Sequence, residues 1–71
     1  IISQSVIINK PEGEIAEILE KLAVENPEIS FGSYPFFKDG KLGTDIVIKG
    51  NNKDTIIDLT RDIKTIFKPR N

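Results

Sequence analysis

Seventy-one residues with 10 basic and 11 acidic side chains, no cysteine and no histidine make a near-neutral chain of net charge −1. Charges of both signs are spread along it, so it has no electrostatic footprint for nucleic acid or anionic lipid. The missing residues exclude disulfides, a thiolate metal site, the commonest general base and the commonest transition-metal ligand.

A chain this short makes one domain and buries roughly 60% of its unfolded surface. No apolar run approaches the roughly 20 residues of a membrane span. The start "IISQSVIINK" has neither a basic n-region nor a cleavage site. Absence of cysteine suits a reducing compartment, and a cytoplasmic setting is expected. The opening Ile1 in place of Met reads as the start of a piece excised from a longer protein.

In chain order, "SVIIN" (Ser5–Asn9) is short and β-branched and predicts a strand ended by Lys10-Pro11. From Glu12 the period changes: Ile15, Ile18, Leu19 and Leu22 fall on one helical face, with Glu14, Glu17, Glu20 and Lys21 elsewhere. Glu12 and Glu14 suit the positive end of that helix, and Asn26-Pro27 stops it. "EISF" resumes alternation, with Ile29 and Phe31 on one face. Asp39-Gly40 is a hairpin signal because both positions tolerate positive φ. "TDIVIKG" returns, with Ile46 and Ile48 one way and Asp45, Val47 and Lys49 the other. Asn51-Asn52 supplies a turn and an N-cap. Ile56, Leu59, Thr60, Ile63, Ile66 and Phe67 mark a second amphipathic helix to about Lys68, closed by Pro69.

The order is β-α-β-β-α. Strands one and two, joined through a helix, are expected to run parallel, with the hairpin strand antiparallel between them. The fold class is α+β, a split βαβ, ferredoxin-like without its last strand: a three-stranded mixed sheet with both helices on one face. The expected core is Ile15, Leu19, Leu22, Phe31, Ile46, Ile48, Ile63 and Phe67.

Candidates for chemistry reduce to structural roles. Glu14, Glu17 and Glu20, and Asp54, Asp58 and Asp62, lie on the solvent faces of the helices, where they neither share a cleft nor converge on a cation. "GSYPFFKDGKLG" lacks the spacing of a phosphate cradle and no helix follows it. Gly40 is the turn, while Gly32 and Gly43 mark a bulge or a close backbone approach. Phe31, Tyr34, Phe36 and Phe37 raise base stacking on a sheet, but no aromatic stands on the hairpin strand and the charge is wrong for RNA. No catalytic, cofactor-binding or metal-binding residue is assigned, and no cofactor is expected.

Ser33-Tyr34-Pro35 is the unusual stretch. Pro35 donates no ladder hydrogen bond, so strand two either leaves the sheet there or runs along its edge. The uncovered sheet face shows Ile7 and Val47 where polar alternation is expected, flanked by Ser5, Asn9, Asp45 and Lys49. Ile7, Val47 and Lys49, with Tyr34, Phe36 and Phe37, are the candidate interface.

The run Ile29 to Gly43, a strand leading through Gly32-Ser33-Tyr34-Pro35 and an aromatic pair to a hairpin, follows a helix of the form "PEGEIAEILEKLAVENPEI". It resembles the small domain after the molybdopterin-binding-type domain of competence/damage-inducible-type proteins, and the similar segment of FAD synthases. The resemblance covers Ser5 to Phe67. It implies a parent that handles nucleotides or pterins, in some members for pyridine-nucleotide recycling or FAD metabolism. Catalysis of the FAD pyrophosphatase or synthase type then resides in the larger neighbouring domains, such as an amidohydrolase or an adenylyltransferase. None of their residues is present, and both branches of the family fit. The expected function is a non-catalytic accessory domain that packs on, or helps dimerise, a molybdopterin-binding-like domain. Its partner is that adjacent domain, with any homo-oligomer formed through it, and neither nucleic acid nor membrane is a partner. The alternative is a ferredoxin-like small-ligand-binding or regulatory module using Tyr34 and the hairpin edge as its pocket. An RNA-binding module trails both.

Overall fold

A computed structural model describes residues 1–67. The elements are β1 (Ile2–Ile8), α1 (Glu12–Glu25), β2 (Ser30–Lys38), β3 (Lys41–Gly50) and α2 (Lys53–Ile66). The sheet order is β1-β3-β2. Both outer strands run antiparallel to β3 and hence parallel to each other without touching. This is the expected β-α-β-β-α arrangement. The expected helix end at Lys68 and the closing Pro69 lie outside the described residues, and α2 ends at Ile66 with Phe67 as its C-cap.

Local chemistry explains the boundaries. Pro11 caps α1 with extended backbone, and its carbonyl accepts the first helical hydrogen bond from the Glu14 amide at 3.1 Å. At the far end Asn26 returns both its backbone N–H and its side-chain amide to the Leu22 carbonyl, at 2.9 Å each. That satisfies an orphan carbonyl of the last turn. Asn52 caps α2, its side-chain oxygen accepting from the Thr55 amide at 3.1 Å. The β2–β3 turn has positive φ at both Asp39 (54°) and Gly40 (75°), the pattern of a type I′ turn.

The core lies between the helices and one face of the sheet. Ile15 and Leu19 of α1 and Ile56, Leu59 and Ile63 of α2 meet Val6, Ile8, Ile46 and Ile48 of the strands, with Ile29 and Phe67 closing the ends. Phe31 and Leu22, expected in the core, are only half-buried at its margin, as is Ile18. Ile66 is exposed although it continues the apolar pattern of α2, because Phe67 and not Ile66 turns back onto the core. Among the described residues the buried polar side chain is Thr44, whose hydroxyl donates to the Lys10 carbonyl at 2.9 Å and ties β3 to the β1–α1 junction. Among the described residues no helix is long and apolar enough to cross a membrane.

One boundary changes in detail, and one open alternative is decided. β1 begins at Ile2 and ends at Ile8, because its first three residues also pair with β3. β2 does not leave the sheet at Pro35 but takes the other course expected there. It is an edge strand, and Pro35 sits in unbroken register opposite Thr44. An edge position makes that affordable, since a missing donor can face away from the ladder.

Candidate functional site

The side chains of β3 alternate between the core and the open face, and the register fixes which neighbours each one meets. On the open face the rows are Ser3–Lys49–Ser30, Ser5–Val47–Gly32 and Ile7–Asp45–Tyr34. Ile7 and Val47 are therefore diagonal neighbours rather than a facing pair. Asp45 stands opposite Ile7, and the Ser5 hydroxyl, opposite Val47, donates to the Asp45 carboxylate. The two apolar residues of the open face are thus crossed by a polar contact between their neighbours. Val47 is half-buried, Lys49 is exposed and Ile7 is 58% exposed.

Gly32 and Gly43 pair regularly and mark no bulge. Each is the seat of an aromatic ring. The Tyr34 ring leans back over Gly32, where an added Cβ would lie 3.1 Å from its Cε2. A Cβ on Gly43 would run into the ring of its cross-strand partner Phe36. The rings thus cover backbone that an ordinary side chain would occupy, and Gly43 is buried as a result. At Gly43 this device, an aromatic laid over a strand glycine, needs the cross-strand register and cannot be read from spacing alone.

The β2–β3 hairpin also overshoots its support. β1 ends opposite Thr44, so Phe36–Lys38 and Lys41–Gly43 extend beyond it. Phe37 faces Leu42 across the ladder, in phase with the core-facing Ile46 and Ile48. No helix reaches them, and they are 69% and 58% exposed. Tyr34, on the opposite face, is 59% exposed. A groove runs along this arm and is lined by Ile7, Tyr34, Phe36, Leu42, Lys41 and Asp45. The structure thus brings Ile7, Tyr34, Phe36 and Phe37 to one end of the sheet, adds Leu42, and sets Lys49 at the other end. No signal in the sequence marks Leu42 as exposed, since its period is that of the core.

The carboxylates of α1 and α2 remain on the outside. Glu14, Glu17, Glu20, Asp54, Asp58 and Asp62 are all exposed, and Asp58 pairs with Arg61 at 3.0 Å in an exposed i,i+3 bridge. Among the described residues no group of three or more acidic side chains is placed to hold a metal ion.

A family model described as the middle domain of FAD synthase matches residues 1–70. Searches of curated proteins and of solved structures gave no match. The matched span takes in every element from β1 to α2. The chain therefore belongs to the FAD synthase middle-domain family.

Proposed function

We propose that this chain is a non-catalytic accessory domain of an FAD synthase-type cytoplasmic protein, docking on the adjacent molybdopterin-binding-like domain through the hairpin arm and the open sheet face. The observation that carries the reading is the hairpin that outruns both β1 and the helices, leaving the Phe37–Leu42 pair in water. Unpaired large apolar side chains grouped on a protruding arm are the usual mark of a surface that meets another protein surface. Ile7, Tyr34 and Phe36 extend that surface around the arm, and Val47 and Lys49 continue it across the open face. Any oligomer formed through this surface arises by way of the neighbouring domain.

The test is chemical-shift mapping of the labelled chain with the remainder of its parent protein added in trans. Docking predicts shifts at Ile7, Tyr34, Phe36, Phe37 and Leu42, spreading to Val47 and Lys49. Shifts confined to the outer faces of α1 and α2 refute it. The domain alone is expected to give no turnover of FAD, ADP-ribose or nicotinamide mononucleotide; product that scales with repurified protein overturns the non-catalytic half of the reading.

The groove along the arm favours a second reading, a ligand-binding or regulatory module with Tyr34 in its wall. Saturable shifts at Tyr34 and Phe36 on titrating a nucleotide, in the absence of the other domains, would select it.

A further inference from the structure

β1 forms one rim of the sheet, and among the described residues it has no strand on its outer side. Its seven residues, ISQSVII, contain no charge, no proline and no glycine. Its ladder to β3 runs without a bulge from Ile2 opposite Gly50 to Ile8 opposite Thr44. Proteins usually blunt such a rim with lysine, proline, a bulge or a covering element, because a row of free N–H and C=O groups templates another strand. The other rim of this sheet is blunted in that way: Pro35 removes a donor midway along β2 and Lys38 ends it. The contrast singles out β1.

We propose that the outer edge of β1 pairs antiparallel with β1 of a second copy of this chain, giving a continuous six-stranded sheet about a two-fold axis at Ser5. Any extended strand would satisfy the backbone, but the side chains suit this same strand reversed. With Ser5 on the axis, Ile2 meets Ile8, Ser3 meets Ile7 and Gln4 meets Val6 of the second copy. No charge faces a charge at any position, and the contact is isologous, as closed two-fold assemblies require. The helix side adds apolar surface. Ile2 is half-buried at the edge of the core. α2 packs over β1, and the groove between them is lined by Gln4, Ile57 and Thr60, with Ile57 46% exposed. Pairing sets the two such grooves on either side of the axis. Arg61 and Lys64 also line the groove; Arg61 is already paired with Asp58, and Lys64 is exposed to water. The inference does not rest on the docking reading: it uses the rim of the sheet rather than its open face or hairpin arm, and either stands if the other fails.

The chain contains no cysteine, so a single introduced thiol reports the geometry without background. Sedimentation velocity from micromolar to millimolar chain should show a reversible dimer. In this register the Ser5 Cβ lies about 4.5–5.5 Å from its counterpart, close enough for a disulfide. The two Ser3 side chains are offset by four positions, or about 14 Å along the strands. Under mild oxidation Ser5→Cys should therefore cross-link at least about ten-fold faster than Ser3→Cys or Val47→Cys. For the unsubstituted chain, half of the β1 amides should exchange more slowly at high concentration than at low. A chain that stays monomeric to millimolar concentration overturns the proposal. So does a dimer in which Ser5→Cys links no faster than Val47→Cys. Slowed β1 exchange that appears only when the remainder of the parent protein is present assigns the edge to a different strand and also overturns it.

Discussion

Thr44 offers the sharpest test of how this small core is held. It is fully buried in β3, between Ile8 and Pro35, and its hydroxyl donates to the Lys10 carbonyl at 2.9 Å. Thr44→Val keeps the shape and removes the donor. A neutral hydrogen bond contributes about 1 kcal/mol net, and a carbonyl left unpaired costs about 1–3 kcal/mol when buried. Lys10 is half-buried, so water can reach its carbonyl and the lower end applies, a loss of about 1–2 kcal/mol. Thr44→Ser keeps the donor and removes one methyl, for about 1 kcal/mol including the small void. Thr44→Ala removes both and should cost about 2–3 kcal/mol. Against a total of roughly 4–11 kcal/mol for 71 residues these are large fractions. Urea melts of the three variants, with an unchanged slope, measure the differences directly. A Val variant as stable as the parent chain would refute the argument, showing that the tie between β3 and the β1–α1 junction contributes nothing net. A Ser variant as weak as Ala would refute it too, since the retained hydroxyl would then be idle.

Three other outcomes follow from packing and caps. Ile48→Ala, at a fully buried position, should cost about 2–5 kcal/mol, while Phe37→Ala on the exposed arm should stay within about 0.5 kcal/mol; equal losses in denaturant melts would invalidate the face assignment. Gly43→Ala should push the Phe36 ring off its seat, removing its ring-current shift from residue 43 and costing on the order of 1–3 kcal/mol; unchanged Phe36 ring resonances would contradict that placement. Asn52→Ala should cost about 1 kcal/mol through the lost bond to the Thr55 amide, read as faster exchange of the first-turn amides of α2, and unaltered exchange would remove the cap from the account.

The elements whose signals are local were legible in the sequence. Asp39-Gly40 specifies its turn by backbone sterics alone, and the spacing of Ile15 and Leu19, or of Ile56, Leu59 and Ile63, declares a helical face. The order of elements then fixes β3 between two parallel strands by the handedness of the crossover. What the sequence hides depends on register and on where support ends. Pro35 leaves open whether β2 quits the sheet or runs along its rim, and only the pairing decides. Gly32 and Gly43 suit either a bulge or a close approach, and only the placement of Tyr34 and Phe36 over them decides for the close approach. Leu42 shares its phase with Ile46 and Ile48, and only the length of the hairpin relative to β1 puts it in water. Thr44 carries no mark of burial, because its acceptor is 34 residues away. The candidate surface was visible as a set of residues on strands one to three. Its shape, a protruding arm rather than a flat apolar spot, was not.

The central position of β3 also orders the steps by which the chain assembles. Its ladder to β2 closes from the adjacent turn, beginning with Lys38 opposite Lys41. Its ladder to β1 joins residues between 36 positions apart (Ile8 and Thr44) and 48 apart (Ile2 and Gly50). Loop-closure entropy and contact order both favour the hairpin as the early structure, with the amino-terminal strand recruited last. Until it arrives, the inner flank of β3 is itself unoccupied and α2 has only part of its seat, because that helix packs on β1 as well as β3. Arrival of β1 is then the cooperative step. Native-state exchange should show β1 and α2 opening together as one unit, while the β2–β3 hairpin persists.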